Sequence, residues 1–427
     1  MRNVLQLLRE RGFVQQVTHE EELEKMLQSE TVTAYVGFDP TADSLHLGHL
    51  LPLIALKHLQ EAGHRPIVLL GGGTAMIGDP TGKTEMRKLL SQEQIAANAE
   101  AIRRQVDSLL GHDRVLVLNN ADWLLPLNYV TFLREIGVHF SVNRMLTAEC
   151  FRTRWERGLS FIEFNYMLLQ AYDFLTLYRR YGCRLQMGGD DQWSNILAGA
   201  DLIRRVEGVE AYGLTFPLLV TSSGKKMGKT EAGAVWLDAN KTSPYEFYQY
   251  WRNVEDSDVG RFLALYTFLP MEEVRRLAAL PGEEINEAKR VLAYEVTRLV
   301  HGKAAAEAAR DASDAFFGGG RAGDGAVSPG AGAEGRAVKR LLPGVPTVEV
   351  SREELARGIP VLDLLVRAGL VSSRSEGRRL IDQRGIEVNG ERVESIEREI
   401  GMDDVEAGLI TLRKGKKTYR QVVVVDK

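Results

Sequence analysis

The chain holds 427 residues, 44% hydrophobic and 26% charged, a globular composition with length for roughly two to four domains and no mark of global disorder or a fibrous repeat. Lys and Arg number 54 against 58 Asp and Glu, a net charge of −4, which argues against a wholly basic nucleic-acid coat and leaves room for a local basic patch. The two cysteines, Cys150 and Cys183, lack Cys-x-x-Cys spacing, so a disulfide framework and a thiolate zinc site are both disfavoured and a reducing, cytoplasmic setting fits best.

The opening Val4-Leu5 returns to charge at Arg9-Glu10, too short an apolar core for a signal peptide. No apolar run reaches the roughly eighteen residues a membrane span needs, so no membrane is expected as partner. The first half then alternates apolar runs with amphipathic stretches, the pattern of a parallel sheet covered by crossover helices. Strands are expected near Thr31–Phe38, Pro66–Leu70, Arg114–Leu118, Arg184–Met187 and Thr215–Val220. The stretch from about Asp122 to Ser160 is too long for an ordinary connection and reads as a helical insertion that splits the sheet.

At the first strand's end, Tyr35-Val36-Gly37-Phe38-Asp39-Pro40-Thr41 leads into Asp43-Ser44-Leu45-His46-Leu47-Gly48-His49. Asp43 or Ser44 offers a helix N-cap, and two imidazoles three residues apart then lie at the positive end of a helix dipole. That end suits a polyanion, and Gly48 permits close approach of a flat base or ribose. Read alone, either histidine could be a hydrogen-bonded structural residue. Pro52, about two turns into this helix, removes a backbone donor and is expected to kink the axis, at a typical cost of about 3 kcal/mol or more.

Gly78-Asp79-Pro80-Thr81-Gly82-Lys83-Thr84 looks like a phosphate-binding P-loop. Only three residues separate its glycines where that motif requires four, so a P-loop NTPase fails on spacing. Lys83 can still meet a phosphate as a point charge. After the fifth expected strand, Ser222-Ser223-Gly224-Lys225-Lys226-Met227-Gly228-Lys229-Thr230 places lysines 226 and 229 on a Gly-punctuated loop that can close over phosphates. In isolation the same loop reads as a solvated basic segment.

From Ser243 to Phe317 the strand signal disappears, and Glu284–Val300 repeats Val291, Leu292, Val296 and Leu299 at helical spacing. A glycine-rich linker is expected over 318–346, followed by a small mixed α/β domain over 347–427. Arg413, Lys414, Lys416, Lys417 and Arg420 cluster near its end, and Arg374, Arg378, Arg379 and Arg384 lie along an expected helix. Such clusters are the footprint of a phosphate backbone or of a solvated charged surface.

Taken together, His46-Leu47-Gly48-His49 and Lys226-Met227-Gly228-Lys229-Thr230 resemble the two signatures of a class I aminoacyl-tRNA synthetase. Within that class, Tyr35-x-Gly37-Phe38-Asp39-Pro40-Thr41, Gly78-Asp79-Pro80, Tyr166-Met167-Leu168-Leu169-Gln170-Ala171-Tyr172-Asp173 and Gln186-Met187-Gly188-Gly189-Asp190-Asp191-Gln192-Trp193 resemble segments of bacterial tyrosyl-tRNA synthetases. Gly228 and Thr230 replace the serines of the class-wide loop, as is familiar in the tyrosyl branch.

The resemblance implies a Rossmann-like catalytic domain over 1–220, a lysine loop and helical anticodon-arm domain over 221–317, and an α-L RNA-binding module at the C-terminus, with Asn389-Gly390 as a hairpin turn. It implies tyrosine, ATP with Mg²⁺ and tRNA(Tyr) as partners, and a homodimer formed through the insertion, whose Phe132, Ile136, Val138, Phe140 and Met145 are the expected contacts. Tyr35 and Asp173 would bind the phenolic hydroxyl; Tyr166, Gln170 and Asp79 the α-amino group; Gln192 the carboxylate or α-phosphate; Asp191 the ribose. Gly37, Asp39, Thr41, His46, Gly48, His49 and Gly189 would line the ATP site, with Lys83, Arg87, Lys226, Lys229 and Thr230 facing pyrophosphate. The implied activity is tyrosine activation and transfer to tRNA. A tryptophanyl enzyme, which shares both signatures, and a synthetase-like RNA-binding or splicing factor are the alternatives.

Overall fold

The structure, a computed structural model, describes residues 3–79, 81, 90–148, 151, 158–222, 224, 227–230, 233–317, 341–415 and 418–426, with residues 229, 230 and 317 described by their backbone. The chain divides into two compact units, Met1–Asp238 with Glu255–Pro281, and Ala239–Val254 with Gly282–Lys427.

The first unit is built on a sheet of six strands: β1 (Gln16–Val17), β2 (Thr33–Phe38), β3 (Arg65–Leu70), β4 (Leu116–Asn119), β5 (Cys183–Gly189) and β6 (Tyr212–Phe216). Their spatial order is β1-β6-β5-β2-β3-β4, parallel throughout except for β1, which pairs antiparallel with β6. The inner strands are buried on both faces by crossover helices, which accounts for their unbroken apolar runs. The strand order reverses between β2 and β5, so a crevice opens beyond the C-terminal ends of those two strands.

The fifth expected strand is displaced: β6 ends at Phe216, because Pro217 has no N–H with which to extend the ladder. Leu218 and Val220 are exposed instead. The short β1 carries too little pattern to be seen in the sequence.

The first unit also extends past residue 220. Leu47 N donates to Val235 O and Leu237 N to Leu45 O, both at 2.9 Å, tying the chain after the lysine loop to the start of the Leu47–Glu61 helix. Residues 255–281 join the same unit, as the buried Arg11 donates to the carbonyls of Ala264 and Thr267, each at 2.9 Å, and to that of Leu269.

In the insertion, Phe132, Ile136 and Met145 are buried against the Phe161–Tyr181 helix within this chain, unlike Val138, which is 72% exposed. Among the described residues, Leu125, Tyr129, Val130, Leu133 and Val142 also face outward, as does Phe161 just beyond the insertion.

In the second unit, helices Pro244–Arg252, Ile285–His301 and Lys303–Phe317 pack together. Ser243 and Glu246 form a reciprocal cap at the first of them. Leu342 and Val345 are buried with Tyr245, Phe316 and Tyr419, so the segment expected as linker over 318–346 is packed by residue 342; residues 318–340 lie outside the described residues. The C-terminal sheet follows the order Glu391–Arg392, Ile386–Val388, Leu409–Lys414, Thr418–Val425, Thr347–Ser351. Asn389 and Gly390, both at positive φ, make the expected tight hairpin turn. Arg374, Arg378 and Arg379 lie on the Arg374–Asp382 helix, but Arg384 falls beyond its end at positive φ. No described helix is long and apolar enough to cross a membrane.

Candidate active site

The crevice beyond β2 and β5 deepens into a cavity of about 540 Å³. Tyr35 on β2 and Gln186 on β5 are register partners at its base. One wall is the Phe161–Tyr181 helix, started by the Ser160–Glu163 reciprocal cap and ended by Gly182 in the left-handed region. Tyr166, Gln170 and Asp173 follow at spacings of four and three, which places them on one face, and all three line the cavity.

At the deep end, Asp173 is 2% exposed. Its Oδ1 accepts from Trp123 Nε1 at 2.7 Å and its Oδ2 from Asn120 Nδ2 at 2.8 Å. Burial pushes its carboxyl up to about 7 against the opposing pull of those two hydrogen bonds. Burial and the neighbouring Asp173 also raise Tyr35 well above the ordinary phenol value. The Tyr35 hydroxyl finds no partner among the described residues, nor do Gln170 Oε1, Gln186 Oε1 and Thr81 Oγ1. All four groups belong to residues lining the one cavity. A buried polar atom left unpaired costs free energy that a ligand carrying complementary groups would recover.

Midway, Tyr166 donates to Asp39 Oδ2 at 3.0 Å and Thr74 Oγ1 donates to Asp39 Oδ1 at 2.7 Å. Gln192 Nε2 donates to Asp79 Oδ2 at 2.8 Å, while Gln192 Oε1 accepts from Asn195 Nδ2 at 3.1 Å. Gly189 lies against Asp191: a Cβ there would stand 2.5 Å from Asp191 Oδ1. Gly37, Thr41 and Asp191 also line the cavity.

At the mouth, the helix starts at Leu47, not at Asp43 or Ser44, because His46 is its N-cap. Ser44 is occupied elsewhere, donating to Leu45 O at 2.8 Å and accepting from Gln105 Nε2 at 2.9 Å. His46 Nδ1 accepts from Gly48 N at 3.1 Å, and His49 Nδ1 accepts from His46 N at 3.3 Å. The rings stack with centroids 3.9 Å apart. Since both Nδ1 atoms accept, this pattern assigns the proton of each neutral ring to Nε2. The helix runs unbroken through Pro52 to Glu61, and Pro52 lines the cavity.

Met227 and Gly228 of the lysine loop, with Ala234 beyond it, line this end. Gly228, at φ +78°, lies where a Cβ would meet Leu47 Cβ at 3.1 Å, which explains glycine in place of serine. Residues 229–230 pair with 233–234 as a short hairpin. Lys83, Arg87 and Lys226 lie outside the described residues. Asn120, Trp123 and Thr74 escaped sequence reasoning, although Asn119-Asn120 stands at the C-terminal end of a strand, where ligand contacts concentrate in such sheets. Among the described residues no group of three or more His, Cys, Asp or Glu is arranged to hold a metal ion.

A parallel sheet with its cavity at the strand-order reversal, a histidine-capped helix and a lysine loop docked on it agree with the family comparison: residues 27–318 match the model described as tRNA synthetases class I (W and Y). The chain belongs to this family of class I aminoacyl-tRNA synthetases. Residues 337–422 match the tyrosine–tRNA ligase SYY-like C-terminal domain. The chain is 56% identical over 427 residues to the tyrosine–tRNA ligase of Acetivibrio thermocellus, covering 100% of both. It is 57% identical over 426 residues to that of Caldanaerobacter subterraneus subsp. tengcongensis, covering 99% of this chain and 100% of the relative. A C-terminally truncated mitochondrial tyrosyl-tRNA synthetase from Aspergillus nidulans superposes with TM-score 0.66 at 31% identity, covering 73% of this chain and 93% of that one. The activity is that of a tyrosine–tRNA ligase: ATP-dependent activation of L-tyrosine to tyrosyl-adenylate, then transfer to the 3′-terminal adenosine of tRNA(Tyr).

Proposed function

We propose the following division of labour within that reaction. Tyrosine enters with its ring against Tyr35 and its hydroxyl between the Tyr35 hydroxyl and the Asp173 carboxylate. The unpaired Tyr35 oxygen at the bottom of the cavity is the observation that carries this reading. Phenylalanine would leave both groups buried and unanswered, a discrimination for which tyrosyl-tRNA synthetases are themselves the standard example. The ammonium is taken by Asp79, by Gln170 Oε1 and by the Tyr166 oxygen, which still accepts while its proton is given to Asp39.

The carboxylate then attacks the α-phosphorus of ATP. It is already a nucleophile, so no general base is needed, and the protein's contribution is positioning and charge stabilisation. Gln192 guides the carboxylate. Asp191, with the close backbone of Gly189, holds the ribose, and Gly37, Asp39, Thr41, Gly48 and the Nε2–H groups of His46 and His49 line the nucleotide. Lys83, Arg87, Lys226, Lys229 and Thr230 neutralise the departing pyrophosphate, and Mg²⁺ arrives with ATP as part of the substrate.

The protein works as a cytoplasmic homodimer in this reading. ATP, tyrosine and tRNA meet in the cytoplasm, and the outward apolar residues of the insertion, with Phe161 71% exposed, form a surface suited to a second copy. The C-terminal domain meets tRNA through the exposed Arg378 and Arg379. Amino-acid-dependent exchange of pyrophosphate into ATP, run across the twenty amino acids, tests the assignment. Exchange with tyrosine alone is expected, and exchange with tryptophan instead would overturn it.

A further inference from the structure

Ser222 and Met227, on the lysine loop, both meet the short helix Val259–Tyr266 or its N-cap Asp258. At its N-terminal end, Asp258 is 5% exposed, and its Oδ2 accepts from Ser222 N at 2.9 Å and from Ser222 Oγ at 3.2 Å. That single Ser222 hydroxyl proton is shared between Asp258 and Glu255, and Ser222 Oγ accepts from Ser257 Oγ at 3.0 Å. One turn into the helix, Arg261 Nη1 donates to Val220 O at 3.3 Å. At the other end, the fully buried Tyr266 donates from its hydroxyl to Met227 Sδ at 3.7 Å. Eight residues of helical rise, about 12 Å, therefore separate two anchors on the loop, one at Ser222 and one at Met227.

This helix is itself fixed. Arg11 satisfies the carbonyls of Ala264, Thr267 and Leu269 at its C-terminal end. Phe268, just beyond, packs on His58 at 4.5 Å between ring centroids, and His58 belongs to the helix that His46 caps. Met227 N in turn donates to Leu219 O at 3.0 Å, and Val235 N to Gly228 O at 2.8 Å. Met227 thus joins a bracket built on the histidine-bearing helix to the backbone that leads directly to Lys229.

We propose that Asp258 and Tyr266 are positioning residues for adenylate formation, holding Ser222 and Met227 so that the loop presents Lys229 to the phosphates. Neither residue touches substrate. Both act by fixing the chain at Ser222 and Met227, which affects the transition state more than tyrosine binding because the amino-acid pocket lies at the other end of the cavity. The proposal rests on the reading that Lys229 neutralises the pyrophosphate.

Single-turnover tyrosyl-adenylate formation by the full-length protein tests it, with Asp258→Ala, Asp258→Asn, Tyr266→Phe, Met227→Leu and Lys229→Ala compared. Asp258→Ala is expected to slow the forward step by about tenfold and Tyr266→Phe by about threefold, with the tyrosine dissociation constant held within about twofold. Asp258→Asn, which keeps an acceptor oxygen, restores most of the rate. Tyr266→Phe adds no further loss in a Met227→Leu background, because the pair acts as one unit. Wild-type rates in Asp258→Ala and Tyr266→Phe, or tyrosine binding weakened in step with the rate, would overturn the proposal. If those two variants are normal and Lys229→Ala is crippled, the bracket alone is rejected; if Lys229→Ala is itself normal, the reading of the loop fails with it.

Discussion

Asn120 Nδ2 stands 2.8 Å from Asp173 Oδ2, and it is fixed there because its own Oδ1 accepts from Gly73 N at 2.7 Å. The amide spans from the glycine turn after β3 to the carboxylate at the bottom of the pocket. With Trp123 on the other oxygen, Asp173 has both oxygens engaged before any substrate arrives.

A pH dependence follows. Asp173 ionises at about 7 in the free protein, and only its ionised form can accept the phenolic proton while accepting from Asn120 and Trp123. Tyrosine binding is therefore expected to weaken as pH falls through about 7. Trp123→Phe removes a donor to the charged form and shifts the inflection upward; Asp173→Asn abolishes it. Calorimetric titration of tyrosine across this range checks both, and a flat profile in the unmodified protein would count against the assignment.

Pro52 leads to a second expectation. The carbonyl four residues earlier belongs to Gly48, and a proline cannot donate to it. With that donor missing, the Gly48 carbonyl is expected to accept from a ribose hydroxyl beside the stacked histidines. Pro52→Ala supplies the missing N–H, so the KM for ATP should rise by about twofold or more while the KM for tyrosine stays put. Steady-state exchange kinetics with each substrate varied will show this. Unchanged constants would mean that the proline matters to the helix alone.

The insertion's outward face predicts an oligomer. A charge at Val138, the most exposed of the segment's described large apolar residues, has to be desolvated if a second copy covers it. Val138→Asp is expected to sediment as a monomer where the unmodified chain sediments as a dimer. The same sedimentation coefficient for both would remove this face from the interface.

For tRNA, the structure separates arginines that the sequence grouped together. Arg413 pairs with Glu387 at 2.6 Å, Lys414 with Glu376 at 2.7 Å, and Arg420 with Glu246. Those contacts already spend their charge within the second unit, and the Lys414 hydrogen bond, followed by those from Ser372, holds Glu376 down at about 2. Arg378 and Arg379 stay exposed. Arg378→Glu with Arg379→Glu should cut kcat/KM for tRNA by about tenfold or more and flatten its salt dependence, leaving pyrophosphate exchange unaffected. Charging assays at two ionic strengths measure this directly.

Much of the molecule was legible before any coordinates. The inner strands, the helical run ending at His301, the Asn389-Gly390 turn and the cavity-lining side chains Tyr35, Tyr166, Gln170 and Asp173 all follow from short-range pattern or from motif resemblance. Local rules read them because backbone periodicity, turn geometry and helix-face spacing depend on residues within a few positions. The same rules misjudged the histidine helix, since whether Ser44 or His46 caps it depends on Gln105, sixty-one residues away, claiming the serine.

Chain order and side-chain chemistry by themselves thus determined the class of fold, the two signature segments and the identity of several residues that line the cavity. Tertiary structure alone decided which of the insertion's apolar residues turn inward, which arginines keep their charge available, and how Asn120, Trp123 and Thr74 join the site. It also decided that a helix ending at Tyr266 holds a loop at Met227. Partners in each of these cases are brought together by packing of distant segments, and the free energy of burying a side chain or pairing a charge is set by what surrounds it in space, not by its neighbours along the chain.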